Sequence, residues 1–255
     1  MKTALLLAII LSTGLASAQE TNVAPKSALV DSMGTTAAPS STQAAPAPPA
    51  AAAQDNAQLA HDVGKLCDAH QYDAALAKLD PTVQADPKNL YALSLRGYVH
   101  CKLKQWGPAQ IDFQSILQVN PQSIDAKFDL AEVQFLQKDY TGARTAFNAL
   151  TPDANIGDLA AYKVFLCDLY GGDMRKARAE LEAFDLVASN PSYYFANVAW
   201  ELYHKRPDSA RPWLASAAHI YYPAKLENYS RSLIDLGYLP LPAPGDAAAA
   251  PPKTN

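Results

Sequence analysis

One interval, 34 residues, organises the middle of this chain. Ala75, Ala109, Ala143 and Ala177 follow one another at that spacing, and Ala210 comes after 33. A polar residue and a large apolar one precede four of these alanines, as in Gln71-Tyr72, Gln105-Trp106, Asp139-Tyr140 and Asp173-Met174, and Arg206-Pro207 precedes the fifth. Four residues beyond the alanines stand Leu79, Phe113, Phe147, Leu181 and Leu214. Asp86-Pro87 and Asn120-Pro121 are also 34 apart, and Asn190-Pro191 marks a later copy.

The interval has a physical reading. It accommodates two amphipathic helices of about 12 to 15 residues and the turns between them. An alanine lets two helices approach closely, and the Phe or Leu one turn further along the same face fills the gap. Proline after Asp or Asn stops a helix, because its ring and its missing N–H exclude it from a helix interior. A single helix pair cannot bury its apolar face, so the copies must stack. The chain is therefore expected to be all-α. Pro223 to Leu236 reads as one more helix, with Leu226, Tyr229, Leu233 and Leu236 at helical spacing and Gly237 as its stop. It is expected to cap the last pair.

This pattern resembles the tetratricopeptide repeat (TPR) over about residues 56 to 223. The second copy matches best, with Leu93, Arg96-Gly97, Ala109, Phe113 and Pro121, and the third has Leu130-Ala131, Ala143 and Phe147. The outer copies depart from the family's first-helix pattern: Asp62-Val63 and Val164-Phe165 replace its large-then-small pair, and Trp200 stands where a small residue is usual. The resemblance implies a right-handed α-solenoid of about five TPR-like helix pairs plus the C-terminal capping helix, spanning residues 55–238. It also implies a protein-interaction role without catalysis.

The two ends have a different composition. Lys2, the apolar run Ala4 to Leu11 and the small-x-small site Ala16-Ser17-Ala18 read as a signal peptide over residues 1–18, cleaved before Gln19. The run is far shorter than the roughly 20 apolar residues of a membrane helix. The first cysteine is Cys67, so no lipid-bearing cysteine follows the cleavage site. Periplasmic or secreted export without membrane insertion is the expectation. Residues 19–54 and 239–255 are rich in Ala and Pro, and such segments bury too little apolar surface to offset their ordering entropy. They read as disordered linker and tail.

A net charge of -4 argues against a nucleic-acid partner, which would demand a basic face. No GxGxxG, P-loop, HExxH or GxSxG occurs. His61, His70, His100, His204 and His219 make no i, i+4 metal pair, so no metal or other cofactor is expected. The acidic residues, scattered along helix faces, read as solvated. Cys67 and Cys101 fall one interval apart. Neighbouring helices at about 8–10 Å exceed the Cα reach of a disulfide, about 4.4–6.8 Å, so these and Cys167 are read as free thiols.

The resemblance implies that the first helix of each pair lines a concave groove. Carried onto this chain, the lining is aromatic: Tyr91 and Tyr98, Phe128 and Phe135, Tyr162 and Tyr170, Phe195 and Tyr203, each pair seven or eight residues apart and so about two turns along one face. Rings with polar tips suit protein interfaces. Family members that clamp a C-terminal carboxylate use Lys, Asn and Arg, whereas the matching places here hold Ala60, Gly64, Leu95, Asp125 and Asp129. The expected partner is an apolar or aromatic-bearing protein or peptide segment. The alternatives are a structural subunit of an envelope or secretion complex, assembling through its convex face or helix ends, and a glycan-binding module using stacked rings.

Overall fold

The computed structural model describes residues 50–184 and 190–240. The signal peptide, nearly all of the first linker and nearly all of the tail lie outside the described residues. Within them the chain forms eleven α-helices and no strand. These are α1 (Ala50–Asp68), α2 (Tyr72–Ala85), α3 (Leu90–Lys102), α4 (Trp106–Val119), α5 (Ile124–Leu136), α6 (Tyr140–Asn148), α7 (Gly157–Gly171), α8 (Met174–Ala183), α9 (Ser192–Tyr203), α10 (Pro207–Ile220) and α11 (Pro223–Asp235). The first ten make five helix pairs, the number expected from the interval. Helix α1 starts at Ala50, inside the segment read as linker.

The stacking follows the small-large rule. Ala75, Ala109, Ala143, Ala177 and Ala210 are all buried, and so are Leu79, Phe113, Phe147 and Leu181. Gly97 on α3 shows why a small residue is needed there: a Cβ at that position would sit 2.7 Å from Cε1 of Phe113 on α4. One pair later Ala131 holds that place, facing the Phe147 register, and both are fully buried. In the fourth pair the sizes are exchanged. Phe165 takes the small residue's place and Leu181 the ring's, so the departure from the family pattern is a swap of volumes across the same interface. Phe165 then reaches Phe184 beyond the end of α8, edge to face at 5.9 Å.

A second 34-residue signal lies in the backbone. Every turn within a pair contains one residue with positive φ: His70, Lys104, Lys138, Gly172 and Lys205, five residues before each alanine of the interval. At each, the following N–H reaches back to a carbonyl five residues earlier, as from Gln105 N to His100 O at 2.9 Å and from Asp139 N to Gln134 O at 2.9 Å. This is the Schellman termination of a helix, in which the left-handed residue redirects the chain and satisfies two end carbonyls. Only Gly172 takes that conformation without a Cβ penalty. Exchanging Lys104 or Lys138 for glycine is expected to stabilise the fold by about 1 kcal/mol each, while Gly172→Ala is expected to destabilise it comparably, all readable as shifts in melting temperature. A fall in melting temperature for both lysine variants would contradict this account of the turns.

Asp86 and Asn120 end α2 and α4 in extended conformation just before their prolines. Asn89, Ser123, Asp139 and Asp173 cap the next helices by accepting from the backbone N–H three residues on, as in Ala92 N to Asn89 Oδ1 at 3.0 Å.

Buried charge joins the layers, against the expectation that the acidic residues are solvated. Asp112 and Asp168 are 1% and 4% exposed. Arg96 grips Asp112 in bidentate fashion at 2.6 and 3.0 Å and reaches Asp80 on α2 at 3.1 Å. Arg144 on α6 holds Asp168 on α7 at 2.8 Å and Glu180 on α8 at 3.3 Å.

Helix α11 departs from the expectation most. It ends as foreseen at Gly237, which has positive φ, with Tyr238 N bonded to Leu233 O at 2.8 Å. However, it is not confined to the end of the stack. It packs against α9, α10 and α7 and reaches α3 through its side chains.

Candidate functional site

The first helices of the second to fifth pairs, α3, α5, α7 and α9, form the wall on which α11 lies. At the α9 end, the Tyr229 ring sits 5.8 Å from Phe195 and 5.4 Å from Tyr162 of α7. Its hydroxyl lies 3.5 Å from Ser192 Oγ and 3.4 Å from Asn190 Oδ1. In the middle, Lys163 on α7 is 1% exposed, pairs with Glu132 on α5 at 2.6 Å and donates a short hydrogen bond to Ser232. At the α3 end, the Arg231 guanidinium lies 5.1 Å from the centre of the Tyr98 ring, and Asp235 meets Lys102 Nζ at 3.2 Å. Past the end of α11, the Tyr238 ring lies 5.4 Å from Tyr170.

These contacts imply that the wall bends around α11. Thirteen helical residues span about 20 Å. Four neighbouring helices at about 8–10 Å spacing cover about 27 Å. One short helix meets side chains from both α3 and α9 most readily if the wall bends around it. The sequence of α11 suits the place. Leu226 and Leu233 are 1% and 0% exposed, and Ser230 and Ser232 are equally buried. Its charged residues are paired: Arg231 bonds Glu227 one turn back, and Asp235 bonds Lys102.

The eight rings expected to line the groove differ in direction and in burial. Tyr98, Tyr162, Tyr170 and Phe195 do face the inner side, where α11 or Tyr238 covers them. Phe135, Tyr162 and Phe195 are at most 1% exposed, so as partner-contacting residues they are corrected to core. Phe135 packs edge-on against Tyr140 and Tyr170 at 5.4 and 6.3 Å. The physical reason is that a first helix is sandwiched between its own partner and the next pair, which buries most of its circumference. Tyr91, Phe128 and Tyr203 are half-buried: Phe128 lies against Phe147 at 5.1 Å, and Tyr203 against Tyr170 at 5.6 Å. Leu95, placed on the lining by the resemblance, is also buried, whereas Asp125 is exposed.

The electrostatics of the wall concentrate at Asp129 on α5. Burial, reinforced by Glu132 and Asp125, pushes its carboxyl up to about 7, while Arg231 and Lys163 act in the opposite direction. Cys101 on α3 also lies within its field. Glu180, near Asp168, is likewise raised to about 7, mainly by burial. A carboxyl whose pKa is higher folded than unfolded favours the fold when protonated. That contribution is complete below the ordinary carboxylate value near 4 and is lost as pH rises through about 7. The melting temperature is therefore expected to be higher at pH 5.5 than at pH 8.5, and Asp129→Asn should flatten the difference. A profile equally steep in the variant would exclude Asp129 as a source.

The three cysteines are unpaired in the structure. Burial raises Cys67 to about 11 and Cys101 to about 12, which leaves both thiols protonated and weakly nucleophilic at neutral pH. A cleft of about 310 Å³ opens between α8 and α9, lined by Phe184, Tyr193, Asn197 and Trp200 among others. Arg178 lies over the Trp200 ring at 5.5 Å and covers one of its faces. Among the described residues, no helix is long and apolar enough to cross a membrane.

No family model and no curated protein sequence matches the chain. Two solved crystal structures of MamA are similar to it. One shares 17% identity over 74% of this chain and 98% of that chain, with a TM-score of 0.46. The other shares 18% over 62% and 92%, with a TM-score of 0.45. At these values the likeness says nothing about what this chain does; the helical repeat rests on the chain's own interval and geometry.

Proposed function

We propose that this chain is an exported, non-catalytic scaffold that binds a helical segment of another protein on its inner wall. The observation that carries the reading is that the wall already holds a helix. It does so with rings, paired charges and hydroxyls drawn from several repeats, which is the chemistry of helix-in-groove recognition. The aromatic and acidic character of the wall, with Tyr91 and Asp125 at its accessible part, favours a partner helix with aromatic and basic residues.

Export is supported by Lys2, the short apolar run and the Ala16-Ser17-Ala18 site. A mature N-terminus at Gln19 is the expected result of mass spectrometry on the native protein, and retention of Met1 would overturn it. For the wall, Tyr91→Ala combined with Asp125→Lys is expected to weaken partner capture from an envelope fraction by about tenfold or more, as loss of an aromatic hot spot does. Helicity should be unchanged, because Tyr91 sits at the margin of the core, half-buried, and Asp125 is exposed. Unchanged capture would sink the reading.

A second reading, assembly through the outer face, is favoured by Ile111 and Val119 of α4. They are 63% and 46% exposed and two turns apart on the same helix. Sedimentation discriminates between the two: an oligomer that survives the wall variant but is lost in Ile111→Glu would favour assembly.

A further inference from the structure

We propose that α11 is a displaceable internal ligand of the wall, and that the external partner is an amphipathic helix repeating its chemistry: a tyrosine, an arginine two residues on, and an aspartate four further. The proposal rests on the reading of the wall as a binding surface and adds how that surface is controlled.

Three observations carry it. First, α11 stands outside the repeat. The five pairs are complete at Ile220, and among the described residues α11 has no second helix to pair with. Second, its attachment combines a buried apolar face with polar contacts. Leu226, Tyr229 and Leu233 bury one face along its length, as an amphipathic ligand helix in a groove would. Toward α3 it is held by the Arg231–Tyr98 and Lys102–Asp235 contacts, and Asp235 and Lys102 retain 22% and 17% side-chain exposure. Contacts of this polar, partly solvated kind resemble transient interfaces rather than permanent ones. Third, the chain enters α11 through Tyr222-Pro223. Tyr222 is 67% exposed, whereas Tyr221 before it is anchored, its hydroxyl donating to Asn190 O at 2.7 Å. Tyr222 is therefore the point about which the helix would swing.

An incoming helix with the same key satisfies the groups that α11 leaves. Its arginine covers Tyr98, its aspartate meets Lys102, and a small hydroxyl residue between them accepts from Lys163. An incoming helix without a group for Lys163 leaves a buried ammonium with only Glu132, which gives the wall a basis for choosing.

The test uses the full mature chain and two readouts. In hydrogen exchange, the amides of 224–239 are expected to exchange at least about tenfold faster than those of α7 and α9, and Asp235→Lys is expected to widen the gap while leaving α3 to α9 unchanged. In fluorescence anisotropy, a labelled peptide of residues 221–240 is expected to bind the Asp235→Lys chain at least about tenfold more tightly than the unaltered chain, because the site is then vacant more of the time. Lys102→Asp as a single change also opens the site by like-charge repulsion from Asp235, but there an Asp235→Lys peptide, and not the native one, should show the gain. Exchange of α11 at the rate of α7 in both proteins, or equal peptide affinity for both, overturns the proposal. Neither readout uses an external partner, so failure here is distinct from failure of the capture experiment.

Discussion

Replacing Arg96 with alanine is expected to cost about 3–5 kcal/mol of stability, lowering the melting temperature of a domain this size by roughly 10 °C. Asp112 is almost wholly buried, and Arg96 supplies both of its closest bonds. His100 Nε2 stands 3.9 Å away, beyond hydrogen-bond reach. Removing the guanidinium leaves a carboxylate in the interior without a counter-charge, which is more costly than the intact pair is favourable. The effect spreads beyond one pair because Arg96 also holds Asp80, so α2, α3 and α4 share a single ion network. The double change Arg96→Met with Asp112→Leu removes both charges and should recover most of the loss. A loss below about 1 kcal/mol for Arg96→Ala would show that Asp112 finds solvent in the folded protein.

Tyr162 gives the second large effect. Tyr162→Ala is expected to destabilise by about 3–5 kcal/mol, since the ring is fully buried among Phe165, Phe195 and Tyr229. Tyr162→Phe should be neutral or stabilising, because its hydroxyl is buried with no hydrogen-bond partner, and an unmet hydroxyl carries a penalty of about 1–3 kcal/mol. Urea unfolding of the two variants separates ring from hydroxyl. If Tyr162→Phe lost more than about 1 kcal/mol, the hydroxyl would have to be bonded in solution. The pair of results also bears on function: a binding defect in Tyr162→Ala would report unfolding, so the wall must be tested at Tyr91 and Asp125 instead.

The scaffold was legible in sequence because its requirements are local. Ala109 and Phe113 announce a close helix contact, and Asn120-Pro121 announces a stop; each depends on residues within one or two turns. The left-handed turns were not legible although they share the period. Four of the five positions hold His or Lys, and only glycine advertises positive φ. The buried carboxylates were missed for a related reason. Asp112 looks like any acid on a helix face until Arg96, sixteen residues earlier, is folded against it.

The wall was half legible. Spacing places Tyr98, Tyr162, Tyr170 and Phe195 on first helices, and they do face inward. Spacing does not tell a ring that faces a groove from one sandwiched between pairs, which is why Phe135 proved to be core. The position of α11 was not legible at all. Leu226, Tyr229 and Leu233 show that it buries a face, but a periodic face does not name the surface it covers. The unused sign was the company these residues keep: Ser230, Ser232 and Glu227 are buried beside them, an unusual composition for a plain end cap.

That α11 lies along the wall, and not merely across the end of the stack, is tested most directly by zero-length carbodiimide cross-linking of the monomer. Lys102 Nζ and an Asp235 oxygen are 3.2 Å apart although 133 residues separate them. The predicted result is a Lys102–Asp235 isopeptide in the monomer band, formed alongside the Lys78–Asp62 link expected from their 2.7 Å contact. Recovery of the Lys78–Asp62 link without the other would contradict it.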